Sequence, residues 1–204
     1  MGFLSSTVSM ARYMVDGKFQ EQILTKVANG LEKNIICEID GKPLDKAVGW
    51  TSFENPFKPD FVRSSFSIGA LLIFSMRIDK KTIPPKIIKK HVALESAKLL
   101  AASGRKYFSK DEKTAIKDRV INALTIRIPA TPNVYEILWN YEDAKIWFFS
   151  NLKSANEEFE ILFASSFNLT PIRLFPYTMA ELTADLTHVE RDTLTNISST
   201  KFAK

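Results

Sequence analysis

Residues 84–119 read PPKIIKKHVALESAKLLAASGRKYFSKDEKTAIKDR, and the helical period in this stretch decides how the rest of the chain is organised. Pro84-Pro85 suits a helix start, because proline is tolerated in the first turn, where its missing N–H has no partner to lose. From there Ile88, Val92 and Leu99 share one face, and Lys86, Lys89 and Lys90 share another. Ser103-Gly104 is a stop signal. SKDE at 109–112 then opens a second helix, with Ser109 and Glu112 spaced for a capping box. Ile116, Val120, Ala123 and Leu124 form its apolar face, and Lys110, Lys113 and Lys117 line up beside it at i, i+3 and i+7. Two helices joined by a short turn make a helical hairpin.

Outward from the hairpin the pattern changes to strands. Thr7 to Val15 alternates, and Asp16-Gly17 marks a turn. FQEQILTKVANGLEKN (19–34) places Phe19, Ile23, Val27 and Leu31 four apart, which predicts a helix whose last turn Gly30 weakens. ICEI (36–39), AVGWTSF (47–53) and the run from Ser65 to Ile78 read as three strands, separated by a segment that Pro56 and Pro59 keep irregular. Beyond Pro129 and Pro132, VYEILW and AKIWFF flank Asn140-Tyr141-Glu142-Asp143 as a hairpin with a four-residue loop. SANEEFEILFASSF (154–167) is a helix with Phe159, Leu162 and Phe163 inward, TPIRLF a final strand, and the polar tail from Thr187 is expected to fray.

The hairpin carries an uneven share of charge. The chain's net charge is only +5, yet Arg77 to Arg119 holds thirteen basic residues against five acids, so the remainder is net acidic. A lysine-rich helix is often no more than a solvated face. Here the excess is local, and the lysines gather on faces instead of pairing with acids at i, i+4. Such a surface attracts phosphates by counterion release, which is independent of base sequence. The stacking aromatics in the segment are Tyr107 and Phe108, in the turn, so the reading favours duplex backbone over single-strand or RNA readout.

Signatures of catalysis are sparse. The two histidines, His91 and His188, are isolated, and one cysteine supplies neither a disulfide nor a metal cluster. Cys37, within I-I-C-E-I, alternates like a half-buried strand residue and is expected to be structural. The seven glycines form no phosphate-binding loop, and no G-x-S-x-G elbow occurs. Glu157, Glu158 and Glu160 read as the solvated face of their helix. FSIGALLIFSM (66–76) is the most apolar run and is far short of the roughly 20 residues a spanning helix needs. No secretory leader is visible. MGFLSS matches the loose myristoylation pattern, and Asn168 and Asn196 match the glycosylation pattern, both of which arise often by chance.

The order of these segments resembles the bacterial recombination-associated RdgC family. The resemblance is carried by AVGWTSF (47–53), TIPPKIIKKHV (82–92), FSKDEKTAIKDRVINAL (108–124) and ILWNYEDAKIWFFSNLKSANEEFEILFASSFNLTPIRLFP (137–176), which run in the same order over most of 5–180. It implies an α+β body with a helical tip, nucleoid-associated binding of double-stranded DNA without sequence preference, and restraint of RecA-driven strand exchange. It also implies a ring-shaped homodimer around the duplex. Two departures bear on that ring: the family's further C-terminal region has no counterpart before Lys204, and Arg127-Ile128-Pro129 stands where an apolar aromatic contact closes the ring.

Residues and resemblance together set the expectations. The fold is α+β, a mostly antiparallel sheet with packed helices and a protruding two-helix basic tip. Residues 1–80 and 130–180 form the body, 81–129 the tip, and 181–204 a frayed C-terminal helix or tail. The chain is expected to be cytoplasmic and nucleoid-associated, with no membrane and no cofactor. The DNA-binding candidates are Lys86, Lys89, Lys90 and Lys98 on the first tip helix, Arg105 and Lys106 at the turn, and Lys110, Lys113 and Lys117 on the second. The alternatives are a metal-dependent nuclease, with Asp111, Glu112 and Asp118 near the basic surface, and a module docking an acidic protein.

Overall fold

Large side chains alternating along the strands build one aromatic core between a sheet and two helices. In this computed structural model, which describes residues 2–19, 22–61 and 66–198, the strands are β1 (Ala11–Asp16), β2 (Lys46–Thr51), β3 (Ser67–Ile68), β4 (Leu71–Lys80), β5 (Thr131–Asn140), β6 (Lys145–Phe148) and β7 (Thr170–Leu174). The helices are α1 (Ile23–Lys33), α2 (Pro85–Ser103), α3 (Lys110–Arg127), α4 (Lys153–Phe167), α5 (Pro176–Thr183) and α6 (His188–Asn196). The sheet runs β2-β4-β5-β6-β1-β7, with β3 also paired to β4, and every strand pairing is antiparallel. The α+β class with an antiparallel sheet is therefore as the sequence indicates.

Register explains which residues are inside. Across β4, β5 and β6, Phe74 pairs with Ile137 and Ile137 with Phe148, so one row of large apolar groups faces the same way. Val27 and Leu31 of α1 and Phe159, Phe163 and Phe167 of α4 pack on that face. Trp50 on β2 is fully buried, stacks on Phe167, meets Phe74 edge-on at 5.2 Å, and donates from Nε1 to Ser166 Oγ at 2.7 Å. Each such ring pair adds about 0.5–1.5 kcal/mol beyond its burial. Tyr13 of β1 is also fully buried; its hydroxyl is shared between Asn156 Oδ1 at 2.6 Å and Glu160 Oε1 at 3.0 Å. Burial first, and then the charge of Glu160, push this phenol well above its ordinary value, so it acts as a donor that ties β1 to α4.

Two glycines permit close approaches. A Cβ at Gly49 would lie 2.5 Å from Ile36 Cα, because residues 34–36 run directly along β2. A Cβ at Gly30 would meet the Phe167 ring at 2.7 Å, so the glycine that weakens α1 locally is where α1 meets α4.

Several local expectations are corrected. ICEI is not a strand: Ile36 and Ile39 are buried, but Cys37 is exposed, its thiol 3.3 Å from Lys42 Nζ. Only Ile35 bridges Trp50, and the chain then bends away, so Cys37 and Glu38 are both exposed and period-2 burial fails between Ile36 and Ile39. The first strand starts at Ala11 and not Thr7. The β5–β6 loop is 141–144, one residue later than expected, with Ala144 at positive φ (54°). In keeping with a C-terminal helix or tail, the chain is helical as far as Asn196, with Thr187 and Glu190 forming a capping box. The start of the expected first helix (20–21), residue 65 of the long run, and residues 199–204 lie outside the described residues.

Candidate nucleic-acid interface

Local sequence sets both ends of each hairpin helix. Pro84 and Pro85 occupy the start of α2, and Gly104 ends it at φ 65°, a left-handed position that glycine takes without strain. At α3, Ser109 Oγ accepts from the Glu112 N–H, and Glu112 Oε2 accepts from the Ser109 N–H at 2.8 Å. The box, led by that backbone donor, holds the Glu112 carboxyl below its ordinary range. Ile116, Val120 and Leu124 of α3 are buried against Ile83, Ile88, Val92, Leu99 and Phe108, a cluster separate from the main core. α2 has no buried residue, so the hairpin is held by a narrow seam.

All nine nominated basic residues, Lys86, Lys89, Lys90, Lys98, Arg105, Lys106, Lys110, Lys113 and Lys117, are exposed. They are not one patch. Lys86, Lys89 and Lys90 cluster on α2, whereas Lys98 lies about 120° round the helix from Lys86 at 3.6 residues per turn. It shares that flank with the exposed Ile87 and Leu94. Lys110, Lys113 and Lys117 lie within about 60° of one another on α3. Arg105 is engaged: its guanidinium meets Glu112 Oε1 at 2.8 Å. Among the described residues the eight lysines have no ion pair.

Some of the charge counted in the sequence never reaches this surface. Arg77 is buried on the β4 face opposite the aromatic core, where it holds Asp79 through Nε at 2.8 Å and Nη2 at 2.5 Å. It also reaches Glu38 Oε2 at 3.1 Å and Pro56 O at 3.1 Å, with the Phe57 ring 5.7 Å away. The Asp79 bonds are the main reason the guanidinium's pKa rises further. Lys81 is likewise buried, donating to Lys42 O at 2.9 Å and to Thr125 O at 2.8 Å. Thr125 sits in the last turn of α3, whose carbonyls form the negative end of the helix dipole. With the Ala130 N–H donating to Asp40 Oδ1 at 2.7 Å, Lys81 fastens the hairpin's base to the body. The sequence carried a signal for the first pair: Arg77 and Asp79 are two apart on a strand and so share a face. Nothing local marked Lys81.

The carboxylates on the face of α4 have partners within the fold. Glu157 meets Lys153, Glu158 meets Lys46, and Glu160 accepts from Tyr13. Among the described residues no three His, Cys, Asp or Glu side chains gather as metal ligands, and no helix is long and apolar enough to cross a membrane. No family model and no curated protein matches the chain.

Proposed function

We propose that the α2–α3 hairpin is a protruding basic tip that binds double-stranded DNA through phosphate contacts, without reading sequence and without hydrolysing the strand. The observation that carries this reading is the state of the lysines: eight exposed ammonium groups on one hairpin, free of acidic partners among the described residues, while Arg77 is paired with Asp79 and Lys81 is spent on backbone carbonyls within the fold. Desolvating a free ammonium against a phosphate releases a counterion, and breaks no existing bridge. The order of segments that resembles the RdgC family extends the reading to a homodimeric, nucleoid-associated protein that restrains recombinase-driven strand exchange.

Affinity for a duplex should fall linearly on a log–log salt plot. Five engaged phosphates at about −0.9 each give a slope of roughly −4 to −5. Reversing Lys86, Lys89 and Lys90 to Glu should weaken binding to all duplexes alike and flatten that slope by about 3. Lys145→Glu with Lys153→Glu, on the body, serves as the control. A folded tip variant with unchanged affinity and slope would leave the hairpin a solvated face and sink the proposal. Solution mass measured alongside tests the dimer, and intact DNA after incubation with magnesium tests the absence of hydrolysis.

A further inference from the structure

The turn between α2 and α3 is fixed from both sides. Gly104 terminates one helix in a left-handed conformation, and the Ser109–Glu112 box starts the next, so only residues 105–108 cross between them. Within those four, Phe108 turns inward and packs on the Ile116–Val120–Leu124 seam. Arg105 folds back onto Glu112. Tyr107 is left pointing out, 81% exposed, with no hydrogen-bond or ring partner among the described residues. It stands between Lys106 and Lys110, two unpaired cations. Arg105 and Phe108 also line an open cleft of about 500 Å³, in which Leu99, Ala115 and Ile116 supply apolar surface and Ser103, Glu112 and Arg119 polar groups.

A large aromatic held outward on a twice-capped turn loses little entropy when something stacks on it. The cations beside it select an anionic polymer. A paired base offers no free face, because its neighbours in the stack cover it; an unpaired or displaced base does. We propose that Tyr107 is a stacking residue that directs the hairpin to DNA where a duplex meets unpaired nucleotides, such as a bulge or fork. The lysines hold the flanking phosphates, and the apolar side chains of the cleft beside Phe108 give a displaced nucleotide a second contact. This rests on the DNA-binding reading and adds to it a preference that phosphate contacts alone do not produce.

The test compares a plain duplex with the same duplex carrying a three-nucleotide bulge, one bulge base being 2-aminopurine. Wild-type protein should bind the bulged form about fivefold or more tightly, as stacking on one base is worth. It should also quench the 2-aminopurine. Tyr107→Ala should lose the preference and the quenching while keeping its affinity for plain duplex, and Tyr107→Phe should retain all three. Equal binding of both DNAs by wild type, or a preference that survives in Tyr107→Ala, overturns the inference and leaves the phosphate reading standing. Binding to neither DNA overturns both.

Discussion

The sheet body and the α2–α3 hairpin use the same residue types in opposite ways. In the body, Trp50, Phe74, Phe148, Phe159 and Phe163 are completely buried, and even charged Arg77 and Asp79 are taken inside as a bonded pair. In the hairpin, α2 buries no residue completely, α3 buries three apolar side chains and a threonine, and lysine after lysine stays in water. The difference follows from geometry. At Arg77 the β4 face opposite the aromatic core is covered, so a cation there must find a carboxylate or carbonyl. A helix in a two-helix hairpin has one packed stripe and leaves most of its circumference wet. Charge on the hairpin is therefore available for a partner, and the buried charge of Arg77 and Asp79 on β4 is consumed by the fold.

The contrast can be broken most directly at Trp50. Trp50→Ala removes the ring that joins β2 to α4 and should cost about 4 kcal/mol, a large part of the stability of a marginally stable domain. Urea denaturation followed by circular dichroism measures it. A loss of under about 1 kcal/mol would mean that the aromatic core is not what holds the sheet to its helices.

Next comes Arg77→Met, which leaves Asp79 buried without its cation. The expected cost is about 3 kcal/mol, because an uncompensated buried charge is expensive. Arg77→Met combined with Asp79→Leu should recover much of that loss, since an apolar pair of similar volume replaces both charges. If the double variant is no better than the single, Glu38 and Pro56 O, not Asp79, account for the arginine's role.

How much of this was legible depends on whether a signal was local. The hairpin could be read almost completely, because its helix signals, Pro84-Pro85, Gly104 and the Ser109–Glu112 box, act within a few residues of one another. The strands were legible in outline, but the run read as one strand over 65–78 turns at Gly69-Ala70 and pairs with itself as β3 and β4. Cys37 was misjudged because alternation in ICEI reflects two isoleucines reaching the core from an irregular segment, and no short pattern separates that from a strand. The tail helix rests on a cap at Thr187 and Glu190 that was visible in the sequence. Lys81 was counted as surface charge because its partners, Lys42 and Thr125, come from loops and helix ends 39 and 44 residues away. The uneven placement of Lys98 was legible in principle, since helical spacing alone puts it off the Lys86–Lys89–Lys90 patch.

Smaller effects should separate the two regions. Val120→Ala shaves the narrow seam of the hairpin and should cost about 1–2 kcal/mol for the methyl groups lost. Because that seam is separate from the main core, the loss should be local: amides of α2 and α3 exchange faster, and those of β4 and β5 do not. Uniform acceleration across both would show that hairpin and body unfold as one cooperative unit.

The smallest expected effect is a pH dependence confined to the hairpin. Glu112 has its carboxyl held below the ordinary glutamate value of 4.5, first by the Ser109 backbone N–H, then by the Ser109 hydroxyl and Arg105. A carboxyl whose folded value is depressed binds its proton more readily when unfolded. Its contribution to stability is therefore full above the ordinary value and is lost as pH falls through the lower, folded one. Lowering the pH from neutral to below 4 should loosen the start of α3, while Glu112→Gln, which keeps a side-chain acceptor, should remove that dependence. The group is exposed, so salt and water screen it and the change should be only a fraction of the Val120 effect. Amide exchange at residues 109–114, followed across that window in both proteins, measures it. Equal acid sensitivity in wild type and Glu112→Gln would assign the loosening to other carboxylates, and the cap would then hold the turn beside Tyr107 by geometry alone.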